Sequence, residues 1–586
     1  MVKIIKHLKT EEWLQMLLVF LFAVLQVRFD LLIPDQMRRI TVLVQTPGSL
    51  IREILTAGGY MLMYALGSLA CVIIVSFFAS RISAALSMRL REMVFTKVGV
   101  FSMEEFSRYS TSSLITRSTN DITQVQQFVM SGMQMLLKVP ILAAGGIIGI
   151  AGSGFEWTVA AIIAFVFVLV VIIITMVVVI PQFKKMQGLV DKLNLTVRES
   201  LTGRHVLRAF NAESYHEEKF ETANDGFTRA DRTTNRAMAV MGPVMSLGTN
   251  GANIAAYVIG AVLISAAGAT ESLTLFSSIV VMSFYLGLLF NATKFITKVL
   301  PRTPRALVSA GRIVEVLETE PVIKEGTLSE GVPGIKGEVE FRNVGFRYPG
   351  AAANSLENIS FKVRQGETVA FIGSTGSGKS TLINLLMRFF HATEGEIIVN
   401  GVNIKEYRQE ALNNLLGYVP QNSVLFKGTI SSNIAYGDNG KGGYSPSDIQ
   451  RAVRIARVGE FVERLQEGLN TAVSQRGANL SGGQKQRISI ARAVCRDAEI
   501  LIFDDSFSAL DYKTDSEVRT ALKRETAGST RLIVTQRIGT IMDADQIIVL
   551  DEGELAGTGT HAELLRSCRV YKEIALSQLS EEEAAS

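Results

Sequence analysis

Cysteine is nearly missing from this 586-residue chain. Cys71, Cys495 and Cys568 are odd in number and far apart, which argues against a disulfide framework or a thiolate metal site and fits a reduced cytosolic face. Charge is sparse as well: Asp, Glu, Lys and Arg make up only 19% of residues, low for a soluble enzyme. The 59 basic and 55 acidic side chains leave a net charge of +4. With no basic stripe interleaved with aromatics, nothing calls for a nucleic-acid partner. The start, MVKIIKHLKTEEW, is basic, but no small-residue cleavage site follows its apolar run. It reads as an amphipathic helix at a membrane surface, with Lys3, Lys6 and Lys9 towards headgroups.

Hydrophobicity is abundant and concentrated in the first half. Val159 to Ile180 is an uncharged Val/Ile-rich run ended by Pro181; as a helix it reaches ~33 Å, enough to cross the hydrocarbon core. Further uncharged runs cover Ile54–Ser80, Val139–Gly154, Ala237–Ala269 and Leu273–Thr293, and a sixth starts at Trp13 and runs to about Leu32. Six spans are therefore expected in the first 300 residues, in a chain long enough for two or three domains.

The loops orient them. The short SGFE and ATES turns carry no Lys or Arg, whereas the second-to-third connection holds Arg81, Arg89, Arg91, Lys97, Arg108 and Arg117. The fourth-to-fifth holds Lys184, Lys185, Lys192, Arg198, Arg204, Arg208, Lys219, Arg229 and Arg232. By the positive-inside rule both long loops and both termini are cytoplasmic, although Arg38, Arg39 and Arg52 in the first outer loop run mildly against this. The two inner loops, at about 55 residues, are too long for turns and look helical. Each has a break flanked by aromatic and acidic residues, Phe101–Phe106 and Phe210–Tyr215, where a short helix is placed to dock on a cytosolic domain. Arg28 and Asp30 are anomalous inside the first span; they face a substrate cavity, pair structurally or snorkel outward. Asn250, Asn253 and Asn291 suit interhelical hydrogen bonds.

After Pro301 comes a helical pattern, RALVSAGRIVEVLE, then a Gly/Pro-punctuated stretch, and from Val339 short β-like runs alternate with helical segments. The loop Gly373, Ser374, Thr375, Gly376, Ser377, Gly378, Lys379, Ser380, followed by Thr381, fits G-x-x-x-x-G-K-[ST] between the strand-like TVAFIG and the helical TLINLLMRFF. Its glycines let backbone N–H groups turn onto phosphates at a helix N-terminus. Lys379 supplies charge to the β- and γ-phosphates, and the Ser380 hydroxyl suits Mg²⁺. ILIFD delivers Asp504 from a buried strand for the Mg²⁺ shell. Ser481, Gly482, Gly483 and Gln484 of LSGGQ open a helix and form a second backbone anion site.

These motifs in this order resemble the ATP-binding cassette family over roughly residues 337–575, and six spans before one cassette resemble a half-transporter of the type I ABC exporter architecture. The resemblance implies a helical six-span transmembrane domain (1–320) with coupling helices, a linker (321–336) and an α/β P-loop cassette domain (337–586). It also implies a stacking role for Tyr348 on adenine, and a Mg²⁺-reaching, loop-sensing role for Gln421. SALD, Ser508 to Asp511, resembles the loop contacting an opposite subunit. TAVSQRG resembles an exporter segment usually reading TEVGERG, departing from it at Ala472, Ser474 and Gln475. In this family each ATP lies between one subunit's P-loop and the other's LSGGQ, so Ser481–Gln484 act in trans.

Two positions depart from the family pattern. Asp505 stands where glutamate is usual, withdrawing the carboxylate by ~1.5 Å, and misplacement near 1 Å costs about 10²-fold in rate. Gln536 replaces a histidine and cannot carry its positive charge. Together they resemble the degenerate half of a heterodimeric exporter of amphipathic drugs or lipids in a bacterial-type inner membrane. The absence of a peptidase-like N-terminal segment argues against peptide processing. The alternatives are a slow homodimeric exporter and a nucleotide-gated, channel-like protein.

Overall fold

The computed structural model describes residues 1–580 apart from Pro47, Ser153, Leu300, Pro301 and Asn439; the side chains of Leu136, Leu137, Lys184, Gln187 and residues 269–271 and 294–299 are also outside the description. Parts of the SGFE and ATES turns, Lys184 and Pro301 thus lie outside the described residues. The chain divides into two compact units, Met1–Gly99 with Thr111–Thr319, and Val100–Ser110 with Glu320–Ser586.

The first unit is helical: α1 (Val2–Ile5), α2 (Thr10–Gln45) and α3 (Ile51–Gly99) come first, and α4 (Met103–Arg108) belongs to the second unit. Then follow α5 (Thr111–Thr116), α6 (Ile122–Ala151), α7 (Phe155–Thr202), α8 (Arg204–Ala209), α9 (Glu213–Ala239), α10 (Met241–Ala266), α11 (Ala269–Val299) and α12 (Thr303–Glu318). Among the described residues six helices are long and apolar enough to cross a membrane. Ile163, Ile173, Ile174 and Val177 of α7 are more than half exposed, a surface suited to lipid rather than water. The opposite side of α7 packs Trp157 and Val168 against Ala256 of α10 and Leu286, Leu289 and Phe290 of α11. Gly260 permits that approach: a Cβ there would collide with Ile279 and reach Trp157.

The helix α7 runs through Pro181 to Thr202, in keeping with the helical pattern of the inner loop, while other local expectations are corrected. The continuation of α7 packs on α9, with Thr234 Oγ1 at 3.5 Å from Met186 Sδ. Arg38 and Arg39 belong to α2, which extends to Gln45 instead of ending before an outer loop. The N-terminal helix is a single turn. Glu12 caps α2 by accepting from the Lys9 N–H at 2.8 Å and pairs with Arg89 at 2.7 Å, so a new helix begins at Thr10. Lys3 meets Glu318 of α12 at 2.5 Å rather than facing headgroups. Asn253 Oδ1 is buried without a hydrogen-bond partner, so that interhelical bond is not made.

In the second unit an antiparallel sheet has the order β2–β1–β4–β5, built from β1 (Val339–Phe346), β2 (Leu356–Val363), β4 (Glu394–Val399) and β5 (Val402–Asn403). The other main sheet, in the order β12–β11–β3–β10–β9–β6, comprises β3 (Thr368–Gly373), β6 (Leu416–Val419), β9 (Ile500–Asp504), β10 (Thr530–Val534), β11 (Gln546–Asp551) and β12 (Glu554–Gly559). It is parallel except for β12. The strands β3, β9 and β10 are wholly buried, which explains their unbroken apolar runs. A short pair joins β7 (Gly428–Thr429) to β8 (Ala472–Val473). The stretch after α12 is irregular but held down: Leu328 N–H donates to Glu406 O at 2.9 Å and Val332 N–H to Asn400 O at 2.8 Å.

The first inner-loop break does form a docked short helix, α4. Glu105 is 4% exposed and accepts from Ser102 N and Oγ, each at 2.6 Å, and from Val322 N at 2.9 Å. Burial pushes its pKa up, yet these hydrogen bonds win and hold it below the ordinary carboxylate range. Its stabilising contribution is therefore present above the ordinary value near 4.5 and lost as pH falls through the depressed one. Glu105→Ala is expected to cost about 1–3 kcal/mol by stranding the Val322 N–H. Faster amide exchange confined to α4 and the segment around Val322 is the check; unchanged exchange there contradicts it.

Candidate nucleotide site

At the end of β3 the chain turns through the Gly373–Ser380 loop into α13 (Lys379–Leu386). Gly376 and Gly378 adopt φ of 89° and 97°, left-handed values that explain glycine at both. Lys379 folds back into the loop, donating to Gly373 O at 2.9 Å, Ser374 O at 2.6 Å and Ser377 Oγ at 3.2 Å. Burial lowers its pKa, while Asp505 and Asp504 act to raise it. Its ammonium is thus held by neutral oxygens that phosphate oxygens would outcompete.

The strand β9, separated from β3 by β10, brings Asp504 to Ser380, whose Oγ donates to Asp504 Oδ1 at 3.2 Å. Burial raises the Asp504 carboxyl pKa and Asp505 adds to this, against the Ser380 hydrogen bond and the Lys379 charge. Asp505 sits at φ 45°, a left-handed position, and Gln421 Nε2 lies 3.5 Å from its Oδ2. Hydroxyl, carboxylate and amide oxygens are hard donors that fit Mg²⁺, which takes one or two carboxylates plus phosphates. Among the described residues no cluster of three or more His, Cys, Asp or Glu offers a rival metal cage.

A pocket of about 470 Å³ gathers Tyr348, Thr375, Gly376, Gly378, Lys379, Ser380, Thr381, Gln421 and Gln536. Tyr348 is steered by edge contacts with Phe346 and Phe390 and by a 3.1 Å hydrogen bond between its hydroxyl and Thr381 Oγ1. Gly373, Ser374, Ser377, Asp504 and Asp505 do not line it, although the first three supply the acceptors that hold Lys379. Asn354, Ser355, Glu552 and Gly553 line it too. Only the DEG turn signal, with Glu552 and Gly553 both at positive φ, marked that side in the sequence.

The signature segment is elsewhere. Ser481 caps the helix Gly482–Cys495, accepting from Gln484 N at 3.3 Å while Gln484 Oε1 accepts from Ser481 N at 2.9 Å. Neither residue nor Gly482 or Gly483 lines the pocket, and Ser481 and Gly482 are exposed.

The family profile described as ABC transporter matches residues 356–508, and the ABC transporter transmembrane region matches residues 16–292. An uncharacterized ABC transporter ATP-binding protein of Mycobacterium tuberculosis is 37% identical over 509 residues, 87% of this chain and 86% of the relative. The chain belongs to the ABC transporter family. An ATP-dependent lipid A-core flippase of Pseudomonas fluorescens is 30% identical, covering 85% of this chain and 81% of its own. The solved structure of a bacterial Atm1-family ABC exporter with ATP bound superposes with a TM-score of 0.82 at 27% identity, covering 97% of this chain and 99% of that one. This ABC transporter is therefore a multi-pass membrane protein and an ATP-binding transport ATPase of the exporter type.

Proposed function

We propose that this chain is the degenerate-site subunit of a heterodimeric ABC exporter that expels amphipathic drugs or lipids across a bacterial-type inner membrane, with both termini cytoplasmic. One observation carries the reading: the pocket around Lys379 keeps its phosphate-binding loop, while Asp505 and Gln536 occupy the positions that handle water and γ-phosphate. Tyr348 stacks on adenine, Lys379 and the loop N–H groups hold the phosphates, and Ser380, Gln421 and Asp504 hold Mg²⁺. The ion would neutralise phosphate charge when bound. Ser481, Gly482, Gly483 and Gln484 complete the partner's site.

A missing partner suits two exposed surfaces. The signature residues stand apart from the chain's own pocket, and the second inner-loop break exposes Phe210 at 78% and Tyr215 at 66%. Aromatic rings so placed favour burial against another subunit.

Native mass spectrometry of the complex from its own membrane is expected to find a second, different six-span cassette subunit. A homodimer alone, with vigorous ATPase activity abolished by Lys379→Ala, contradicts the reading. Tyr348→Ala is expected to weaken ATP binding about tenfold, since base–aromatic stacking contributes about 1–3 kcal/mol. Titration with a fluorescent ATP analogue checks it, and an unchanged affinity removes Tyr348 from the site.

A further inference from the structure

The first unit contains a cavity of about 600 Å³ lined by residues of α2, α3 and α6 together with Arg302. Val72 and Val75 give it an apolar wall, Gln26 and Gln134 a few polar points, and Lys138 and Arg302 its charges. Among the described residues no acidic side chain lines it. A nearby carboxylate, Asp30, is fixed from behind: Ser68 Oγ donates to its Oδ1 at 2.5 Å. Lys138 Nζ stands 3.8 Å from Asp30 Oδ2, too far for a hydrogen bond, with its side chain 23% exposed. Among the described residues no ion pair joins Arg302 to a carboxylate. Two cations against one carboxylate leave one positive charge uncompensated beside a low-dielectric wall.

Arg28 does not pair with Asp30 and does not line the cavity. One of the two charges that line it, Lys138, lies one residue before the uncharged run that begins at Val139. A half-buried ammonium among spans, left outside hydrogen-bonding distance of the nearest carboxylate among the described residues, is poorly explained as a structural pair. Concave shape, apolar lining and convergent cations instead match an amphiphile with a negative head.

We propose that this cavity is a subsite for the anionic head group, carboxylate or phosphate, of an amphiphilic transport substrate. The head group sits between Lys138 and Arg302, Asp30 competes with it for Lys138, and the tail lies along the valine wall. The inference rests on the exporter reading above and supplies its substrate class.

Equilibrium binding of radiolabelled dodecanoate, dodecyl phosphate, dodecanol and dodecyltrimethylammonium to the assembled transporter in zwitterionic nanodiscs tests it, with empty nanodiscs subtracted. Both anions are expected to bind at least about tenfold more tightly than dodecanol, and the cation not above background. Lys138→Gln and Arg302→Gln each remove most of that preference, Lys138→Arg keeps it, and Asp30→Asn tightens anion binding by removing a competitor. If dodecanol binds as tightly as dodecanoate, or if the glutamine variants weaken both equally, the subsite is wrong. Phosphatidylglycerol added to the nanodiscs separates the sources: competition with dodecanoate identifies a lipid head group, and its absence a diffusible amphiphile. Loss of head-group preference with ATP-driven transport intact overturns the subsite alone. Intact preference with only nucleotide-gated passive flux overturns the exporter reading alone.

Discussion

Gly483→Glu lowers the ATPase rate of the assembled complex by at least about 10²-fold, or ~2.7 kcal/mol. Gly483 lies in the first turn of the helix capped by Ser481, where N–H groups are free to meet an anion. In the proposed dimer these donors would face the γ-phosphate on the partner's P-loop, so a carboxylate there would repel the charge that the site should stabilise. Space matters as well: a Cβ on Gly483 comes 3.3 Å from Ala509 O, tighter than ordinary contact. Gly483→Ala introduces the same Cβ without charge and separates the two causes; it is expected to cost far less. Asp505→Ala is also expected to cost little, because on the proposed reading the site it belongs to contributes little turnover. Steady-state ATPase of matched complexes checks all three, and an Asp505→Ala loss as large as that of Gly483→Glu makes this chain's own site competent.

On the same proposal the converse change restores chemistry. Asp505→Glu combined with Gln536→His is expected to raise hydrolysis at the chain's own site by about 10²-fold. Glutamate returns the carboxylate to the reach it has in competent sites, and histidine adds a cation-forming group beside the γ-phosphate. The backbone position is permissive at a cost: Asp505 sits at φ 45°, where aspartate is better tolerated than longer side chains, so glutamate costs on the order of 1 kcal/mol. The remaining machinery is in place, with Lys379 held in the loop and Ser380 at 3.2 Å from Asp504. Single-turnover hydrolysis with the partner's P-loop disabled reads the gain; no gain means that another group limits this site.

Motifs governed by local backbone geometry could be read from the sequence. The left-handed turns at Gly376 and Gly378 demand glycine, and a buried parallel strand demands the unbroken apolar run before Asp504. The spans were likewise visible, because a run such as Val159–Ile180 has the length and hydropathy of a membrane crossing. What escaped depends on contacts remote in sequence. Glu552 and Gly553 reach the pocket because β11 pairs with β3 across about 180 residues. Lys138 precedes the uncharged run from Val139, and only the packing of α2 against α6 brings it to 3.8 Å from Asp30. The single turn of α1 goes with the Lys3–Glu318 and Glu12–Arg89 pairs, whose partners Glu318 and Arg89 are remote in sequence.

ATP binding that outlasts chemistry at the Lys379 pocket is the property on which the asymmetric assignment rests. Photolabelling of the working complex with an α-³²P-labelled azido-ATP, followed by a chase with unlabelled ATP, measures it subunit by subunit. Label on this chain is expected to persist through several turnovers while the partner's label exchanges with each one; equal exchange at both subunits contradicts the assignment.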